Sequence, residues 1–174
     1  MDVSCEAAAA VEAMAVPPRL RLVCTDGPCA GQTFDTDSLK SFCFTIGRVK
    51  KAKMYMKDQA VSEKHAEVSW NGLSWTLRDV GSSNGSRVNG AKLQPYRVHV
   101  LQAGEHVTFG THTIATVELE ERTLRDVTVE QLLRAYFESR CQAMEEASTQ
   151  AALDMAQRCH RSLDALLLAE PAQA

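Results

Sequence analysis

Residues 47–90 read GRVKKAKMYMKDQAVSEKHAEVSWNGLSWTLRDVGSSNGSRVNG, and the order of polar signals inside this stretch decides the fold. Gly47-Arg48 comes first, then Ser62-x-x-His65, then Ser83-Asn84-Gly85, then Asn89-Gly90. Between them Trp75 and Leu77 sit two residues apart, the period of a strand with one face turned to a core. A buried or half-buried Arg beside a Gly, a hydroxyl and a side-chain amide, carried on separate turns, supply fixed donors for a dianionic phosphate and the backbone beside it. A planar guanidinium meets phosphate oxygens with two parallel charge-assisted bonds, which Lys does not reproduce. This is a recognition pattern without catalytic machinery.

Outward from this stretch the period of two continues. Leu20, Leu22 and Cys24 share one face, Phe42, Phe44 and Ile46 another, and Val98 and Val100, Val107 and Phe109, and Ala115, Val117 and Leu119 follow. Gly104 and the Gly110–His112 segment separate the later ones. Asn71-Gly72 is a two-residue link suited to the positive backbone angles of a tight hairpin. Many short strands with frequent turn signals and no intervening helix give an all-β antiparallel sandwich. Trp70, Trp75, Phe42 and Phe44 fall on alternating positions and are read as core rather than stacking platforms.

The pattern changes near Asp126. Thr128 with Gln131 makes a capping box, and Val127 with Leu132 occupies the positions of a hydrophobic staple, so a helix is predicted to start there. Phe137, Cys141, Met144, Ser148, Ala151, Met155, Cys159, Leu163 and Leu166 recur every three or four residues up to Pro171, which predicts about 40 helical residues, or ~60 Å. A helix of that length outruns a small sandwich, so its apolar stripe docks on its own domain or pairs with a second helix, through residues 128–168, in a homodimer or a partner's coil.

The organisation expected is a loose Ala/Pro-rich leader at 1–18, a sandwich at 19–122 and a long helix at 123–174. With 19 basic and 22 acidic residues the net charge is -3, which argues against nucleic acid or an anionic membrane as partner. The seven acidic residues between 130 and 170, against four arginines, exclude a basic nucleic-acid arm. Six cysteines show no C-x-x-C spacing, so they are read as free thiols with no metal site. No basic start with a long apolar core marks a secretory signal, and no apolar run nears the ~18 residues that cross a bilayer. An intracellular protein, in nucleus or cytoplasm, is the expectation.

The ordered motifs resemble those of the forkhead-associated (FHA) domain, a phosphothreonine-binding module with an FHA/SMAD-like sandwich, over roughly residues 19–120. The segment from Arg19 to Val23, with Gly27-Pro28 and Gly31, is also similar to FHA proteins of plants. The resemblance implies that Arg48 binds the phosphate, that Ser62 adds a hydroxyl donor, that Asn84 holds the peptide backbone and that Ser83 makes a flanking contact. Lys64 is grouped with this binding set. It further implies structural roles for His65, for Gly47, Gly85 and Gly90, and for Asn89, no cofactor, and a nuclear location slightly ahead of the cytoplasm.

Two departures stand out. Glu63 places an acid beside Ser62, where the family commonly has Arg or Asn. Lys50, Lys51 and Lys53 replace the family's Asp- and Asn-containing turn, so residues 44–65 hold six basic side chains against two acidic ones. Such a local field suits a phosphorylated or acidic partner, whereas the bland reading is a solvated loop. A hydrolase built from Ser62, His65 and Asp79 is rejected, because no helix N-terminus or glycine-rich elbow offers an oxyanion hole. The function expected is therefore a non-catalytic adaptor that recruits a phosphothreonine-containing protein. The alternative is a structural protein that has lost peptide binding and works through its helix.

Overall fold

The computed structural model describes residues 16–36, 41–123 and 125–168, the last seven of these by backbone alone. Most of the expected leader, with Cys5, and the stripe residues Leu163 and Leu166 as side chains, therefore lie outside the described residues. The strands are β1 (Arg19–Asp26), β2 (Thr33–Asp35), β3 (Cys43–Gly47), β4 (Met54–Tyr55), β5 (Ala66–Trp70) and β6 (Trp75–Asp79). They continue with β7 (Ser86–Val88), β8 (Ala91–Lys92), β9 (Val98–Val100), β10 (His106–Phe109) and β11 (Thr113–Glu120), and α1 (Val129–Leu168) closes the chain.

One sheet has the order β2-β1-β11-β10-β7-β8 and the other β4-β3-β5-β6-β9. The alternation read from sequence explains the two inner faces. Leu20, Leu22 and Cys24 of β1 and Val107 and Phe109 of β10 are buried from one sheet, and Phe44, Ile46, Trp75 and Leu77 from the other. Removing that apolar surface from water supplies the main driving force for closing the sandwich. Trp75 centres the second layer, with Trp70 edge-on at 5.8 Å and Phe42 stacked at 6.1 Å, and its indole N–H donates to the Pro18 carbonyl at 2.7 Å. Residues just before β1 are thus tied to the core, and Pro17 is buried.

Three local features differ from the sequence reading. The pairing is antiparallel except between β3 and β4, where Ile46 pairs with Met54 and Gly47 with Tyr55 in parallel. The chain returns through residues 48–53 to run beside β3 in the same direction. The β5–β6 hairpin exists, but Trp70 pairs with Trp75, so its loop has four residues rather than two. The Asn71 carboxamide accepts the N–H groups of Leu73 and Ser74 at 3.0 and 2.8 Å, replacing backbone turn bonds. The two-residue hairpin is instead Asn89-Gly90, where Val88 pairs with Ala91 and φ is +50° and +83°. Val98 and Val100 are exposed on the edge strand β9.

The 40-residue α1 starts at the expected box: the Thr128 N–H donates to Gln131 Oε1 at 2.8 Å and the Gln131 N–H returns to Thr128 Oγ1 at 3.2 Å. Its first turns meet the sandwich through a face other than the expected stripe. Leu132, Ala135 and Ser139 are buried, whereas Phe137 is 62% and Met144 71% exposed. Small side chains allow close approach, and Glu138 accepts the Phe42 N–H at 2.5 Å and the Ser41 hydroxyl at 3.1 Å. The spacing 132, 135, 139 is hidden from a search for bulky apolar residues because, beyond Leu132, two small residues and the Glu138 carboxylate carry the contact. By density of internal contact the chain divides into Met1–Arg140 and Cys141–Ala174.

Candidate functional site

Three segments meet at one end of the sandwich: the exit of β3 at Gly47-Arg48, the connection 56–65 before β5, and the connection 80–85 between β6 and β7. Consecutive residues of the middle segment receive bonds from both sides. Ala60 O accepts the Asn84 Nδ2 at 2.8 Å, Val61 O accepts Arg48 Nε at 3.2 Å, and Ser62 O accepts the Arg48 N–H at 3.0 Å. Ser62 Oγ accepts the Ser83 N–H at 3.0 Å and donates to Ser83 Oγ at 3.4 Å. Arg48, Ser62, Ser83 and Asn84, named from sequence, are brought onto one ridge.

Gly47 makes the first of these crossings possible. A Cβ on Gly47 would lie 2.0 Å from the Glu63 carbonyl oxygen and 3.0 Å from that of Ser62, so any side chain would push the two segments apart. The close approach, not an unusual φ, demands glycine here. It leaves Arg48 at the rim, exposed rather than buried as its motif suggested. Its Nε is fixed by Val61, while its terminal nitrogens have no partner among the described residues. The guanidinium is oriented and available at the same time.

His65 is fully buried beneath the ridge, and its Nδ1 accepts the Ser62 N–H at 3.0 Å. The neutral ring then carries its proton on Nε2, which donates to the Gly85 carbonyl at 3.2 Å. One imidazole thus joins the Ser62 segment to the Gly85 segment. Burial holds its pKa below the ordinary 6.5 despite the opposing pull of Asp79. The ring does not reach the Ser62 hydroxyl, and Asp79 does not orient it, so no nucleophile–base–acid chain exists at this site.

Asp79 has a different task, which sequence reasoning missed. Its buried carboxylate accepts the N–H groups of Gly81 and Ser82 at 2.9 and 2.8 Å and the hydroxyls of Ser82 and Ser86, each at 2.7 Å. Burial raises its pKa, but these bonds outweigh it and hold the group below the usual 3.8. Ser82 Oγ in turn accepts the Gly85 N–H at 3.0 Å. The loop bearing Ser83 and Asn84 is therefore folded around a buried anion. The signal was present as Asp79 three residues before Ser82 in a Gly/Ser-rich run, the pattern of a side-chain-capped turn. Asp58 does similar work for the middle segment, accepting the Ala60 N–H and the Thr113 hydroxyl at 2.8 and 2.6 Å.

The remaining predicted residues take separate places. Asn89 exchanges bonds with His106, its N–H to that carbonyl at 2.8 Å and its Oδ1 from that N–H at 2.9 Å. Asn89-Gly90 thus secures the β7–β8 hairpin to β10, away from residues 60–62. Lys64 and Glu63 are exposed at the ridge, and neither forms an ion pair among the described residues. No group of three His, Cys, Asp or Glu among the described residues has metal-binding proximity. No helix among them is long and apolar enough to cross a membrane. Cys24, Cys29, Cys43, Cys141 and Cys159 form no disulfide among the described residues.

Comparison with known proteins agrees with this architecture. The FHA domain family matches residues 44–110. An FHA domain-containing protein of Arabidopsis thaliana is 31% identical over 99 residues, 56% of this chain and 25% of that protein. The solution structure of the FHA domain of an Arabidopsis thaliana hypothetical protein superposes with a TM-score of 0.57 and 29% identity, covering 63% of this chain and 92% of that one. A domain solved in an analysis of phosphothreonine-dependent FHA domain interactions gives a TM-score of 0.50 and 30% identity, covering 60% and 99%. Across four curated relatives the chain spans 16% to 64% of their length.

Proposed function

We propose that this chain, which carries an FHA domain at residues 44–110, is a non-catalytic adaptor that captures a phosphothreonine segment of a partner protein at the 47–48, 60–65 and 83–85 ridge. The observation that carries this reading is the state of Arg48, exposed, held at Nε by Val61 and with its terminal nitrogens unclaimed among the described residues. In the proposal Arg48 and the Ser62 hydroxyl take the phosphate, whose three oxygens carry between one and two negative charges at neutral pH. The Asn84 carboxamide keeps one hydrogen bond to Ala60 and offers its oxygen to the peptide main chain. Ser83 and Lys64 flank the peptide, and Gly47, His65, Gly85, Asn89 and Gly90 hold the loops. Recruitment is reversible and is switched by the kinase and phosphatase acting on the partner, in nucleus or cytoplasm.

Titration of phosphothreonine peptides and their unmodified forms against the wild type and Arg48→Ala tests it. Losing one partner of a desolvated charge pair costs about 2 to 5 kcal/mol, so the variant is expected to lose nearly all phosphopeptide binding. Equal binding of modified and unmodified peptides by the wild type would defeat the proposal.

A second role is proposed for α1, as an oligomerisation element or second contact. Phe137, Met144 and Met155 are each more than 60% exposed, with Cys141 and Cys159 also exposed on the stripe. In the alternative reading the helix is the working part and the ridge is silent. Light scattering on the full chain and on residues 123–174 separates the two: association independent of Arg48 favours the helix, and monomers in both remove its oligomer role.

A further inference from the structure

We propose that the loop Lys50–Lys53 is a second anion subsite, which directs the ridge to phosphothreonine segments carrying another acidic group, a carboxylate or a second phosphate, a few residues away. This rests on the reading of Arg48, Ser62 and Asn84 as the phosphothreonine site. The first argument is the clustering of exposed cations that lack acidic partners. Arg19, Arg21 and Arg78 in the sandwich each contact an acidic side chain at 2.6 to 2.9 Å. Lys50, Lys51, Lys53, Lys57 and Lys64 are all exposed, and none has an acidic partner among the described residues. Of the two acids in residues 44–65, Asp58 is buried and bonded to Ala60 and Thr113, so Glu63 is the one acid of this segment that faces solvent.

The second argument is placement. The loop leaves the ridge at Arg48 and re-enters as β4, where Met54 is level with Ile46 and Tyr55 with Gly47. Both ends of the loop are therefore anchored at the end of β3, where the ridge begins. The Ala52 N–H bonds to the Val49 carbonyl at 2.9 Å and Ala52 is buried, so the turn is pinned while the lysines on either side of it face solvent. Lys53 also lines a groove of about 330 Å³ with Gln32, Thr33, Phe34, Met54 and Tyr55. An extended peptide advances about 3.3 Å per residue, so a group two to four residues from the phosphothreonine lies roughly 7 to 13 Å away. Lys50 follows Arg48 by two residues, with Cα atoms at most about 7.6 Å apart, which meets the near end of that range.

The third argument concerns which polyanion. Residues 44–65 are surrounded by a chain with thirteen basic and twenty acidic residues elsewhere. A small positive field in an acidic protein suits a short acidic segment and repels an extended nucleic acid backbone.

The test uses the full chain and four peptides: phosphothreonine with neutral flanks, the same with aspartates flanking, the same with a second phosphate, and the unphosphorylated aspartate peptide. Each is titrated at low and high salt against wild type and Lys50→Gln/Lys51→Gln/Lys53→Gln. The two doubly anionic phosphopeptides are expected to bind the wild type about tenfold more tightly than the neutral-flank peptide, consistent with one added charge-assisted contact. That margin should vanish in the triple variant, where the neutral-flank affinity stays unchanged, and it should shrink at high salt, where screening weakens every phosphopeptide. Comparing the aspartate and second-phosphate arms identifies which source of the anion is preferred. Equal affinity for neutral and acidic flanks, or a margin that survives the triple substitution, overturns the subsite and leaves the ridge reading intact. Failure of every phosphothreonine peptide to bind sinks the ridge reading itself. An oligonucleotide that displaces the acidic phosphopeptide at equal concentration overturns the peptide assignment.

Discussion

The ridge at the end of the sandwich and the start of α1 are both built from polar side chains, yet they are specified in opposite ways. At the ridge the bonds that join one segment to another span the sequence: Arg48 to Val61, Ser83 to Ser62, Asn84 to Ala60 and His65 to Gly85 join positions 13 to 24 residues apart. At the helix start, Thr128 and Gln131 satisfy each other three residues apart. A site that must present unpaired donors to a ligand cannot use those donors to hold itself together. Its rigidity has to come from neighbours, here His65, Asp79 and Asp58, which are buried and fully engaged beneath it. The helix start has no ligand to serve in this reading, so its side chains are free to bond one another.

The sharpest way to break this contrast is one methyl group at Gly47. Gly47→Ala places a carbon against the Glu63 carbonyl with backbone on both sides, so neither segment can yield by rotating a side chain. We expect a loss of stability at the upper end of overpacking, about 3 kcal/mol, read by denaturant midpoint. Phosphopeptide affinity should fall in parallel, since Arg48 is the next residue. Full stability in the variant would mean that the crossing is not rigid.

Acid should act next, through the groups below the ridge. His65 has a folded pKa below its ordinary 6.5, so the unfolded chain binds the proton more readily and stability is lost as pH falls below about 6.5. Asp79, with a folded pKa below 3.8, adds a further loss of the same sign in stronger acid, below the range where His65 starts to act. Thermal midpoints of the unliganded protein between pH 8 and 5 should decline, and His65→Asn should flatten that slope at a lower overall midpoint. An unchanged slope in His65→Asn would assign the pH dependence to another group.

The same contrast explains what could be read in the sequence. Leu20, Leu22 and Cys24, Phe44 and Ile46, and the Thr128–Gln131 box are local periodicities or local pairs, and the structure keeps all of them. The FHA motifs placed Arg48, Ser62, Ser83 and Asn84 on one family template, and their side chains do lie along a single ridge. What escaped was non-local. Whether Arg48 is buried depends on how far Gly47 lets residues 62–63 approach, and the parallel β3–β4 pair depends on where the 48–53 loop returns. The Asn71 side chain lengthened a hairpin that its Asn-Gly pair alone marks as tight. On the helix, period alone selected the bulky stripe through Phe137 and Met144, whereas Ala135, Ser139 and Glu138 make the contact because they let the backbone come close.

The smallest effect is expected at the cap, and it distinguishes local from distributed construction. Thr128→Ala removes the hydroxyl that accepts the Gln131 N–H, a change worth about 1 kcal/mol. Because the bond partner is three residues away, amide hydrogen exchange should quicken severalfold at Val129–Leu133 and stay unchanged at residues 60–62 and 81–86. Gly47→Ala should show the reverse, with the ridge amides exchanging faster and the first turn of α1 untouched. Faster exchange at residues 81–86 in Thr128→Ala would show that cap and ridge open as one cooperative unit, and the division between a locally coded helix start and a cross-braced recognition edge would fall.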